Sequence, residues 1–194
     1  VYKYHMKILV IQNRMGIGDT VIFLPFIEAL SEKFNSPVSL LVKENSKAEQ
    51  YLYQTKYIDQ ILLLERDKTT QKRHNGFFGI FNLIKDLKKY NFDKIFIFNS
   101  SIRFRLIAKL SGIADVYQYP LFKKSKQHIV DTPKIFLKNK LNLIVNKDPE
   151  IHIEDELILN SSKKLNINKD ELNILMGIGG SGPVSYTHLR AHET

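Results

Sequence analysis

Apolar residues in this chain fall into short unbroken runs, separated by stretches in which they recur every three or four positions. KILVIQ at 7–12 is the first run, and its unbroken apolar character predicts a strand buried on both faces, as in a parallel sheet. A glycine turn follows. From Thr20 to Phe34, residues Val21, Leu24, Ile27, Leu30 and Phe34 keep the spacing of an amphipathic helix packed on that sheet. The alternation then continues. PVSLLVK (37–43) reads as a strand, Ser46 to Gln54 as a helix and IDQILLLE (58–65) as a strand. After a polar stretch at 66–76 come a helix over 78–90, the strand DKIFIFN (93–99), a helix over 102–110 and the strand-like ADVYQYP (114–120). Strands alternating with helices pair in parallel through right-handed crossovers, so the expected fold class is α/β, a Rossmann-like doubly wound domain.

The texture changes near residue 122. A basic loop leads to a predicted helix over 129–141, an extended PEIHIEDEL, a short helix over 157–165 and the segment LNILMGIGGSG (172–182). That last segment repeats the strand-then-glycine design of the N-terminus. The expected division is a Rossmann-like domain over 6–122, a linker over 123–170, the first strand of a second Rossmann-like domain over 171–183, and a non-native tail over 184–194. VSYTHLRAHET at the end has no apolar periodicity and resembles translated adaptor or vector sequence, while VYKYH precedes a plausible start at Met6.

Composition narrows the function classes. With 43% hydrophobic and 25% charged residues the chain can build a core in water, and with no cysteine it has no disulfides, thiolate metal sites or cysteine nucleophiles. Its apolar runs fall far short of the roughly 20 residues that span a bilayer. The N-terminus lacks the pattern of a signal peptide, and a cytoplasmic location is expected. The formal charge of +9 favours an anionic partner. Its denser clusters, Lys85–Lys89 and Lys123–Lys126, do not interleave aromatics as a single-strand-binding platform would, so nucleic acid is not the expected partner.

The segment NRMGIGDTVIFLP (13–25), directly after the first strand, carries the most chemical information. In an open parallel sheet, ligands bind beyond the carboxyl ends of the strands. Gly16 and Gly18 allow a tight turn and close approach of backbone to ligand. A dinucleotide site needs a third glycine where Val21 stands and an acidic residue some twenty positions on, for which Glu44 is the candidate. A transferase would use Asp19 instead, as the carboxylate that accepts a proton from an attacking hydroxyl. Asp19 also suits a helix cap.

The stretch KILVIQNRMGIGDTVIFLPFIEALSEKF resembles the opening of glycosyltransferase family 9, the lipopolysaccharide heptosyltransferases, with Arg14, Gly16, Gly18, Asp19, Pro25, Ala29 and Leu30 matching the pattern. SSIRFRLIAKLSGIADVYQY (100–119) is similar to that family's arginine-bearing helix and short strand, and QHIVDTPKIFLKNKLNL (127–143) to its linker helix. ILMGIGGSGP (174–183) is similar to the start of its C-terminal domain. The likeness runs in order over residues 6–183, and after Pro183 the family's basic residue and tryptophan-proline pair do not follow.

The resemblance implies a GT-B enzyme cut off early in its second domain, an inverting transferase moving a sugar, heptose by analogy, from a nucleotide-sugar donor to a phosphorylated glycolipid or core oligosaccharide. Asp19 would be the base. Arg14, Gly16, Gly18, Ser100, Ser101, Arg103 and His128 would bind acceptor, and Gly180 and Ser181 the donor phosphates. No metal or cofactor is implied, and peripheral contact with the inner face of the cytoplasmic membrane is. Plainer roles stand beside these: a solvated Arg14, helix capping by Ser100 or Ser101, a solvated or packed His128, and strand positions only for Tyr117 and Tyr119. The alternatives are a nicotinamide-type Rossmann oxidoreductase fragment and a non-catalytic sugar-binding module.

Overall fold

The computed structural model describes residues 6–14, 16–66, 71–121, 128–168 and 170–174. They fall into two compact units divided after His152.

In the first unit, strands β1 (Ile8–Ile11), β2 (Val38–Lys43), β3 (Ile58–Leu64), β4 (Lys94–Ile97) and β5 (Asp115–Gln118) form one parallel sheet in the order β3-β2-β1-β4-β5. β1 is central, with Ile8 registered against Val38 on one side and Lys94 on the other. Because successive strand residues face opposite ways, Ile8, Val10, Leu40, Val42 and Phe96 join one core, and Leu9, Ile11, Leu41, Ile95 and Ile97 join another. Helices α1 (Ile17–Phe34), α2 (Ala48–Tyr51) and α5 (Asp131–Leu141) supply the first core, in which Phe23, Phe26 and Phe136 are buried. Helices α3 (Phe78–Lys88) and α4 (Ile102–Leu110) supply the second, through Leu83, Leu87, Phe104 and Ile107. Two layers of helices around one parallel sheet make the doubly wound α/β fold that the alternation predicts.

Several elements differ from expectation in detail. α1 starts at Ile17 rather than Thr20, directly after Gly16 in its cap position. Of the helix expected over 46–54 only the single turn α2 forms; Lys47, left-handed at φ 50°, separates it from a 3-10 turn at Glu44–Ser46. Asn35 and Asn142 end α1 and α5 in the same conformation, a place that asparagine tolerates better than most side chains. α5, within the segment expected to be a linker, packs Phe136 and Leu137 into the first core, and Phe136 sets its ring edge-on to Tyr119 and Phe98. The first compact unit accordingly runs on to His152.

The second unit contains α6 (Asp155–Lys164), with Asp155 and Glu156 in its first turn and Lys163 and Lys164 in its last, charges placed to suit the helix dipole. Residues 172–174 form no strand. The rest of the expected strand and glycine turn, Gly180 and Ser181 included, lies outside the described residues, as do the first five residues and the segment 184–194. Among the described residues no helix is long and apolar enough to cross a membrane.

Candidate functional site

The strand order reverses direction between β1 and β4, and doubly wound sheets bind ligands in the crevice that such a reversal leaves at the carboxyl edge. Two loops meet across it. The first leaves β1 at Gln12 and enters α1 at Ile17, and Gly16 at φ 101°, ψ 163° stands in a backbone region open essentially to glycine alone. A Cβ there would touch nothing, so conformation rather than space requires the glycine. Gln12 is buried and staples the loop from beneath: its Nε2 donates to the Asp19 carbonyl at 3.1 Å, and its Oε1 accepts from the Arg14 amide at 3.2 Å. Thr20 adds a bond from its hydroxyl to the Gly16 carbonyl at 3.3 Å. The loop is thus fixed from both ends.

The Arg14 side chain on that loop is exposed, and Asp19, just inside α1, is half-exposed. Asp19 is the third residue of α1 and does not cap it; the cap position belongs to Gly16, with no side-chain bond. The capping role that the sequence allowed for Asp19 therefore gives way to a first-turn carboxylate facing the helix's positive end.

The second loop, Asn99 to Ser101, leaves β4. Asn99 reaches across the crevice, its Nδ2 donating to Asn13 Oδ1 at 3.1 Å, while its Oδ1 accepts the Ser101 amide at 2.9 Å. Ser101 occupies the cap position of α4 with an extended backbone, but its hydroxyl makes no cap bond. Gln118, buried at the end of β5, donates Nε2 to the carbonyls of Asn99 at 3.1 Å and Ser101 at 2.8 Å. Since that nitrogen serves two carbonyls, the amide orientation is fixed, and its Oε1 is left buried with no hydrogen-bond partner. The neighbouring Tyr119 hydroxyl is likewise buried and unpartnered. Burial pushes its pKa far up, against a smaller downward pull from the Arg14 guanidinium.

The remaining expected residues are differently placed. Gly18 lies in the first turn of α1 beside Asp19, and Ser100 is exposed on the β4 loop, so Arg14, Gly16, Gly18, Asp19, Ser100 and Ser101 share one edge of the sheet. Arg103 turns toward the segment ahead of α3 and donates to the His74 carbonyl at 2.9 Å; burial, then the nearby Arg66, lowers its pKa. His128 is exposed and its bonds are local, its carbonyl accepting the Asp131 amide at 3.0 Å where α5 begins. Glu44, the residue a dinucleotide would need for its ribose, is ion-paired to Lys72. Among the described residues no three His, Asp or Glu side chains gather as metal ligands.

Sequence inspection did not single out Gln12, Asn13, Asn99 or Gln118. A polar residue at each strand's carboxyl end was the signal that could have found them.

No family model and no curated protein matches the chain. Solved structures do. A crystal structure of a glycosyl transferase of family 9 from Veillonella parvula superposes with a TM-score of 0.68 at 19% identity, over 93% of this chain and 56% of that one. The E. coli ADP-heptose lps heptosyltransferase II gives 0.57 at 11% identity, over 84% and 52%. E. coli heptosyltransferase WaaC with ADP gives 0.50 at 12% identity, over 73% and 49%. The chain spans about half the length of these structures, and over that half its fold is the α/β fold of the family 9 glycosyltransferases.

Proposed function

We propose that this chain contributes the acceptor-binding half of a nucleotide-sugar glycosyltransferase, with Asp19 as the general base. The observation that supports this most is a guanidinium and a carboxylate, Arg14 before Gly16 and Asp19 in the first turn of α1, whose backbones Gln12 staples together at the switch point of the sheet. In this scheme an acceptor hydroxyl attacks the anomeric carbon of the donor. As the new carbon–oxygen bond forms, the bond to the leaving diphosphate breaks with inversion, and Asp19 takes the hydroxyl proton. Arg14 holds an acceptor phosphate through its forked donors. The carboxamides of Asn13 and Asn99, bonded to one another, lie at the same edge and offer further polar contacts to the acceptor. The donor is a nucleotide-activated sugar, heptose by analogy with the similar heptosyltransferases, and its phosphates fall to Gly180 and Ser181. A phosphorylated core oligosaccharide or glycolipid at the cytoplasmic face of the inner membrane is the matching acceptor.

Calorimetric titration of the chain with a phosphorylated core oligosaccharide tests this. Weak binding is expected at low ionic strength, fading as salt screens the exposed charge, with Arg14→Ala lowering affinity about tenfold. Absence of binding at low salt, or binding indifferent to both salt and Arg14, would sink the acceptor assignment.

A further inference from the structure

The helices α3 and α4 carry apolar surface that no described residue covers. Phe77, Phe78 and Phe81 are 70%, 80% and 54% exposed, their rings clustered on one another at 5.3–6.4 Å rather than on the core. On α4, Ile102, Leu106 and Leu110 follow one another at four-residue steps and are each about half exposed, a second stripe facing away from the sheet. The two helices pack side by side in the same layer. Arg103 bonds the His74 carbonyl, which ties the first turn of α4 to the segment leading into Phe77. His74 is in turn bonded through backbone and ring to Glu65 at the end of β3. The aromatic cluster therefore sits at the carboxyl edge of the sheet, the edge that also bears Asp19 and Arg14.

Charge around this surface is one-sided. The two helices carry five lysines and arginines, Lys85, Lys88, Arg103, Arg105 and Lys109, against one aspartate, Asp86. Lys85, Lys88, Lys89, Arg105 and Lys109 are exposed. That aspartate is itself enclosed by Arg73, His74 and Lys89.

We infer that this face docks on an anionic lipid bilayer, the phenylalanines and the α4 stripe entering the headgroup and acyl boundary while the surrounding cations meet lipid phosphates. Exposed apolar side chains ringed by cations are what an interfacial surface presents. A single-stranded nucleic acid would also attract cations and stack on aromatics, but it has no use for the aliphatic stripe of Ile102, Leu106 and Leu110. Docking at this edge would hold the Asp19 crevice against the membrane plane. The inference does not depend on the transferase assignment, since lipid binding requires no turnover.

Flotation of the chain with vesicles of phosphatidylcholine, with and without phosphatidylglycerol, provides the test. The chain should float only with the anionic vesicles and be released by salt. Combined Phe77→Ser, Phe78→Ser and Phe81→Ser should weaken partitioning at least about tenfold. Arg105→Glu with Lys109→Glu should weaken it without touching an aromatic. The chain has no tryptophan, so Phe78→Trp supplies a single reporter whose emission should shift to the blue on anionic vesicles. Should the triple variant fail to fold, Phe78→Ser alone, at the most exposed of the three, replaces it. No flotation with phosphatidylglycerol, or equal flotation of the folded serine variants, overturns the inference. So does dimerisation, or capture of a single-stranded oligonucleotide, that depends on these phenylalanines while vesicles are ignored.

Discussion

Asp19 separates two consequences that a carboxylate near a helix start usually confounds. Because Gly16 holds the cap position and Asp19 makes no side-chain cap bond, Asp19→Asn removes a proton acceptor without removing a cap. The lost charge in the first turn should cost about 0.3–1 kcal/mol of stability, a small fall in melting temperature. If Asp19 is the base, kcat in an enzyme that joins this chain to a donor-binding half should fall about a hundredfold or more under saturating donor and acceptor. A folded Asp19→Asn enzyme with near wild-type kcat would remove Asp19 from the chemistry. At this scale the glycine loop was legible, because its residues are contiguous and glycine declares its backbone. The carboxamides at the same edge were not. Asn99 and Asn13 are 86 residues apart, and Gln118 sat in a segment whose alternation marked it only as strand. Which polar side chains converge depends on strand order, and no local pattern carries that.

The segment between β3 and α3 is held by the helix that follows it. Gly79, in the first turn of α3, lies so close beneath His74 that an added Cβ would meet His74 backbone atoms at 2.1–2.8 Å. Those atoms are not the end of a flexible side chain, so Gly79→Ala must displace the His74 turn and its bonds to Glu65. A loss of about 3 kcal/mol is expected, read as a lower urea midpoint; an unchanged midpoint would mean the turn yields freely. The same junction makes stability depend on acid. Burial works to raise the Asp86 pKa, but hydrogen bonds from His74, Arg73 and Lys89 overcome it and leave the group below its ordinary value. A depressed carboxylate stabilises the fold above its unfolded pKa, and the contribution disappears as pH falls through the folded one. Asp86→Asn should therefore lower the urea midpoint at neutral pH and make the acid limb of the stability curve shallower; parallel curves would count against it. Elements of this length were largely legible. α4 was found at its observed bounds because its period is clear on both sides, whereas the helix expected at 46–54 shrank to one turn, started late by the left-handed Lys47 and ended at Tyr51.

For the whole molecule, the alternation of strand and helix was enough to foresee a parallel, doubly wound sheet, and this follows from the need of each helix to cross back before the next strand can pair. The position of β1 has a further effect, on the order in which the molecule can be assembled. Synthesis delivers Ile8–Ile11 first, yet its neighbour β2 begins at Val38 and its other neighbour β4 only at Lys94. Until β4 emerges, the most apolar strand has one open flank, and Leu9 and Ile11 face a layer whose α4 does not yet exist. Contacts so distant along the chain close slowly, and an unfilled strand edge is a surface on which chains aggregate. A polypeptide ending at Tyr90 should be cut rapidly by protease and bind a hydrophobic dye, while the whole chain resists both; equal protection of the two would show that the first three strands stand alone. On the ribosome the cell must therefore shelter this protein's centre before its edges, and a chaperone that grips the first apolar run would be needed early and released once β4 has paired.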